Sequence, residues 1–119
     1  MTKVYTARVT YAGPDRLDVT RMSAGPEGLA FAPSWSILRP MLQRRREDYV
    51  TEAEWLAYAD AYTAEMRDSY RGQRARWDAL LERDEVTLVC YCMDARHCHR
   101  TVLAEILTKL GTTSCGERA

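Results

Sequence analysis

The sequence predicts one α/β domain, a small, mainly parallel sheet with helices on both faces. Three observations carry this. Apolar residues alternate near the N-terminus, a long amphipathic stretch fills the middle, and the apolar run Val86–Cys92 is followed at once by a helical pattern. Strands interleaved with helices pack as layers, and a strand that is apolar on both faces belongs inside a parallel sheet. A chain of 119 residues suits one domain, 1–119.

Tyr5, Ala7, Val9 and Tyr11 alternate with Thr6, Arg8 and Thr10, the period of a strand with one buried face. Ala12-Gly13-Pro14-Asp15 reads as a turn. Leu17–Arg21 reads as a second short strand. Ser23–Pro33 holds Gly25, Pro26, Gly28 and Pro33 and reads as a loop. Ser34 is placed to cap a helical turn through Leu38, and Pro40 suits the first position of another short helix that ends near Arg44-Arg45-Arg46. Thr51-Glu52-Ala53-Glu54 has the form of a capping box. Behind it Trp55, Tyr58, Ala59, Tyr62, Met66 and Tyr70 recur every three or four residues, which predicts a long helix. The tyrosine stripe is read as core in preference to a base-stacking surface.

Gly72 interrupts that helix, and Gln73–Arg83 continues it with Trp77, Leu80 and Leu81 on one face. In the strand Val86–Cys92, Val86, Leu88, Cys90 and Cys92 share one face while Thr87, Val89 and Tyr91 share the other. The closing helix, His99–Leu110, buries Val102, Leu103, Ile106, Leu107 and Leu110 and ends at Gly111.

Net charge is zero, so no global field draws the chain to nucleic acid or an anionic membrane. Fifteen of seventeen basic residues are arginine, read as compositional bias. The N-terminus lacks a signal-peptide pattern, and no apolar run is long enough to cross a membrane. A cytoplasmic protein is expected, with cysteines as reduced thiols in preference to disulfides.

Three of the four cysteines and both histidines fall between positions 90 and 99. Ligands of parallel sheets collect outside the carboxyl ends of strands, an edge expected to gather Cys90, Cys92, Asp18, Thr20 and Arg21 near the start of the closing helix. The unpaired amides of a helix N-terminus attract anions. A site for a small anionic ligand or nucleotide is therefore expected, with Arg100, Arg21, Asp18 and Thr20 binding it. Cys98 or Cys92 is the candidate reactive thiol, since a helix N-terminus lowers a thiol's pKa. His99 is the acid–base candidate. On this reading Arg100→Ala removes binding and spares the fold.

Other readings stand beside it. Cys90, Cys92, Cys98 and His99 offer soft ligands for a metal, though their spacing departs from common zinc patterns. Cys90 through Arg96 is formally the Cys-x5-Arg loop of thiol phosphatases, but it lacks glycine and carries bulky Tyr91 and Met93. Arg44-Arg45-Arg46, Arg67, Arg71, Arg74 and Arg76 are the candidate surface of a non-enzymatic module that binds nucleic acid or protein, diluted by Glu47, Asp48, Asp68 and Asp78. The cluster also has a purely structural reading, in which it knits strand, loop and helix together.

Leu88-Val89-Cys90 followed by Cys98-His99-Arg100 resembles the hallmark of the domain of unknown function 488 family. Asp18-Val19-Thr20-Arg21 resembles that family's early strand ending in Asp-Val-Arg, with a threonine inserted. Phe31-Ala32-Pro33-Ser34-Trp35 loosely matches its following loop. The similarity runs from about Val4 to Leu110. It implies a compact α/β domain of Rossmann-like, three-layer arrangement and a link to nucleotides or nucleic acid, with no established reaction. Relatives commonly carry an acidic residue where this chain has Cys92.

Overall fold

The computed structural model describes residues 1–92 and 94–118. Four strands, β1 (Lys3–Arg8), β2 (Arg16–Asp18), β3 (Glu85–Cys90) and β4 (Thr113–Glu117), form one sheet in the order β2-β3-β1-β4. All its pairings are parallel. The α-helices are α1 (Pro26–Leu29), α2 (Trp35–Glu47), α3 (Glu52–Gly72), α4 (Arg74–Leu81) and α5 (His99–Lys109), and a 3-10 turn spans Ala95–His97. About half of the chain is helical, and the architecture is the small layered α/β class expected from the sequence. Among the described residues no helix is long and apolar enough to cross a membrane.

Central β3 is buried from Val86 to Cys90. Val86 and Leu88 enter the main core with Tyr62 and Met66 of α3, Trp77 of α4, and Leu103 and Leu107 of α5. On the opposite side Thr87 donates to the Asp15 carboxylate at 2.6 Å and accepts from Arg118 at 3.0 Å. The capping box forms as its sequence dictates: Thr51 Oγ1 accepts from the Glu54 amide, and the Thr51 amide donates to Glu54 Oε1, both at 3.1 Å.

Several boundaries differ from the sequence reading. β1 stops at Arg8, short of Tyr11, because the Tyr11 amide turns back to the Arg8 carbonyl and Arg16 donates to the carbonyls of Val9 and Tyr11. β2 stops at Asp18, whose carboxylate accepts from the Thr20 amide and hydroxyl and bends the chain there. β3 ends at Cys90, so Cys92 lies beyond the sheet. The expected loop contains α1, with Pro26 in its first turn. The two short helices expected around Pro40 are one, α2, with Pro40 inside it. Proline has no N–H, so the Ser36 carbonyl four residues back loses its helical donor. Met41 offsets this by packing on Trp55 and Tyr58 of α3. β4 has no alternation and every residue is exposed; its backbone pairing with β1 holds it.

α1 reaches the sheet edge only because residue 28 is glycine. A Cβ there would sit 1.8 Å from the Asp18 carbonyl oxygen. Gly28→Ala is expected to destabilise the fold by about 3 kcal/mol in urea unfolding, since backbone must move to admit the methyl. Gly72→Ala, whose added Cβ meets nothing within 4 Å, is the matched control and should not lower stability.

Candidate functional site

The carboxyl edge of β2 and β3, the Cys98–His99 start of α5, and the inner faces of α2 and α3 enclose a cavity of about 210 Å³. Thr20, Arg21, Cys92, Cys98 and His99, five of the residues expected at a site, line it. Leu38, Met41, Leu42 and Tyr58 give it apolar and aromatic walls, and Arg45 and His97 complete the polar part.

Asp18 and Arg100 do not line this cavity. Asp18 is occupied with its own turn, accepting from Thr20 and, through its other oxygen, from Ser23 at 2.5 Å. Burial raises its pKa, but the bonds from Ser23 and Thr20 outweigh that and hold the carboxyl below its ordinary value. Arg100 is fully buried. Its Nε and Nη2 donate to Glu117 at 3.2 and 2.6 Å, and its Nη1 donates to Cys90 Sγ at 3.0 Å and to the Cys92 carbonyl at 2.9 Å. Glu117 also accepts from Thr6. Burial raises the Glu117 pKa, and the bonds from Arg100 and Thr6 bring it below its ordinary value. The arginine expected to clamp a ligand thus joins α5, the β3 end and β4 to one another.

His99 is buried, and its Nε2 lies 2.7 Å from the Val19 carbonyl. A carbonyl only accepts, so Nε2 carries the hydrogen and Nδ1 is the ring's acceptor. Burial lowers the His99 pKa to about 4; the Val19 bond opposes this, and the charges of Arg100 and Arg45 reinforce it. His99 is neutral at pH 7.

The sulfurs of Cys90 and Cys98 lie at disulfide distance, 2.13 Å, where four thiols were expected. The strand end and the N-cap of α5 bring them together. Cys92 is free and half-buried, and the three sulfurs of Cys90, Cys92 and Cys98 lie within 4.8 Å of one another. His99 stands outside that trio. The Cys-x5-Arg cradle does not close: Arg96 turns outward to Asp94 at 3.2 Å, and Met93 lies outside the described residues.

Arg21 donates to the carbonyls of Pro33 and Ala32, tying the cavity rim to the loop before α2. Arg45 donates to Cys92 Sγ at 3.3 Å and to the His97 carbonyl at 2.7 Å. Among the described residues neither arginine has a carboxylate partner, whereas Arg44 pairs with Glu54 and Arg74 with Asp78. Burial pushes the Tyr58 phenol well above its ordinary pKa, and the neighbouring Cys92 adds to this. His97 stacks on Trp55 at 5.2 Å, with Nε2 3.0 Å from Glu52.

Tyr58 and His97 were not among the expected site residues, and Arg45 was expected only on the arginine-rich surface of the alternative reading. Arg45 had a visible signal. Leu38, Met41, Leu42 and Arg45 stand at i, i+3, i+4 and i+7, which puts an arginine in the apolar stripe of α2. Tyr58 carried none, since a cavity-lining tyrosine and a core tyrosine share one periodicity.

A family model described as "Active DUF488-N3 subclade" (DUF488-N3a) matches residues 29–111. The match takes in the cavity walls from α2 and α3 and the whole stretch Cys90–Arg100, and leaves out β1, β2, Asp18 and Arg21. No curated protein and no solved structure matches the chain.

Proposed function

The chain belongs to the DUF488 family, and on that footing we propose that its cavity binds a small ligand joining an anionic group to an apolar or aromatic body, as in a nucleotide or another phosphorylated compound. The observation that carries this is the pair of arginines, Arg21 and Arg45, that line one cavity and have no carboxylate partner among the described residues. Arg45 uses one N–H on Cys92 and one on the His97 carbonyl, which leaves three of a guanidinium's five donors. Spare guanidinium donors match phosphate or carboxylate oxygens. Met41, Leu42 and Tyr58 supply the apolar wall for the ligand's body.

The word "active" in the description of the matching subclade supports a catalytic reading. Two groups at the cavity suit one: the sulfur of Cys92, and the Nδ1 acceptor of His99, fixed in one tautomer by Val19. Cys98, fully buried and paired with Cys90, fits the role of N-cap and tether better than that of nucleophile.

The test is a titration of the full chain with inorganic phosphate and a set of nucleoside mono-, di- and triphosphates, followed by chemical-shift changes at cavity residues. At least one should bind. Arg45→Ala should weaken it about 10- to 100-fold, the loss expected for hydrogen bonds to a charged group. Arg44→Ala, whose guanidinium is turned to Glu54, should leave affinity unchanged. Absence of binding across the set, or equal affinity in Arg45→Ala, overturns the proposal.

A further inference from the structure

We propose that Cys90, Cys92 and Cys98, once reduced, bind one zinc ion, with a coordination position left open to the cavity. This does not depend on which ligand the cavity takes.

The sulfurs are already gathered. All three lie within 4.8 Å of one another, and thiolates around one tetrahedral zinc, each about 2.3 Å from it, sit roughly 3.8 Å apart. They come from the end of β3, the residue two beyond it, and the N-cap of α5. The Cα atoms of Cys90 and Cys98 are 7.7 Å apart. Half-cystines usually lie about 4.4–6.8 Å apart. Two ligands that each contact an ion between them tolerate the wider spacing.

The surroundings suit anionic sulfur. Arg100 Nη1 donates to Cys90 Sγ and Arg45 Nη1 to Cys92 Sγ, the outer hydrogen bonds that orient metal ligands. Three thiolates and a divalent cation carry one net negative charge. Arg100 is already offset by Glu117, so the charge of Arg45 balances the centre. The sequence reading offered His99 as a fourth ligand; its Nε2 donates to the Val19 carbonyl and Nδ1 is left as an acceptor, but the ring stands outside the group of three sulfurs that lie within 4.8 Å of one another. His97 turns its Nε2 to Glu52. The fourth position then faces the space lined by Thr20, Arg21 and Tyr58. Three protein ligands with one open position is the arrangement of catalytic zinc, where the ion takes water or an anionic oxygen.

Formation of the site balances as follows. A dithiol in the cell, or a phosphine in the test tube, supplies the two electrons that, with two protons, convert the Cys90–Cys98 pair to two thiols. Zinc then displaces the protons of three thiols.

The experiment uses the full chain, reduced with phosphine, stripped with a chelator and titrated without oxygen, first with cobalt(II) and then with zinc. The expected result is one cobalt per chain, an intense thiolate-to-cobalt charge-transfer band, and its loss on addition of one zinc. Cys92→Ser, at a half-buried position beyond the sheet, should abolish that band while circular dichroism reports an intact fold. Arg45→Ala should weaken zinc binding about 10- to 100-fold. Cys115→Ser, on exposed β4, should change nothing. A reduced protein that gives no cobalt–thiolate band overturns the proposal, as does an undiminished band in Cys92→Ser.

Discussion

Arg100→Ala is expected to lower the unfolding free energy by about 2–5 kcal/mol, the usual cost of truncating a large, fully buried side chain to alanine; its ion-pair partner Glu117 is itself partly exposed and adds little to that figure. The side chain is fully buried, and its loss strands several partners at once. Glu117 loses its cation, the Cys92 carbonyl and Cys90 Sγ lose a donor, and a void opens between α5 and the sheet. Arg100→Lys keeps the charge but not the planar fork that serves these acceptors together, so it should recover only part of the loss. Urea unfolding measures both. A loss below about 1 kcal/mol for Arg100→Ala would mean that the guanidinium does not hold these elements together. The sequence reading, in which the same substitution spares the fold, has Arg100 opening onto a ligand pocket; the start of α5 does reach the cavity through Cys98 and His99, but Arg100 is turned away from it, to Glu117 and the Cys92 carbonyl.

Stability should fall by about 3 kcal/mol between pH 7 and pH 4 on account of His99 alone. Its folded pKa is about 4 against an ordinary 6.5, chiefly through burial, and each unit of difference is worth about 1.4 kcal/mol. Between these values the unfolded chain binds a proton that the folded chain does not, so stability rises with pH. The contribution is complete above about pH 6.5 and is lost as pH falls toward 4. Asp15, Asp18 and Glu117, all held below their ordinary values, stay charged through most of this window and add their own loss at its acid end. His99→Gln keeps a donor for the Val19 carbonyl but does not titrate, so its stability should be flat from pH 7 to 5. A slope unchanged by that substitution would assign the acid sensitivity to another group.

Much of the fold was legible because its strongest determinants are periodic. The capping box at Thr51, the stripe from Trp55 to Tyr70 and the doubly apolar β3 each encode an element locally. β4 escaped notice because nothing in Thr-Thr-Ser-Cys-Gly-Glu alternates; a neighbouring strand's free edge recruits it, and that is a tertiary fact. The cavity was legible as a place, since β3 running into α5 brings Cys92, Cys98 and His99 to the edge where Thr20 and Arg21 also arrive. The division of labour was less so. Arg100 and Arg45 are alike in type, and only packing determines that the first is enclosed against Glu117 while the second reaches the cavity from α2.

Pro40 gives this last contrast a mechanical side. The missing rung at the Ser36 carbonyl separates the first turns of α2, anchored to α3 where the Ser34 amide and hydroxyl meet Glu65, from the later turns that bear Leu42 and Arg45. The later turns are thus joined to the earlier ones by one backbone hydrogen bond fewer than a regular helix would have, and that gap lies in the wall beside Arg45.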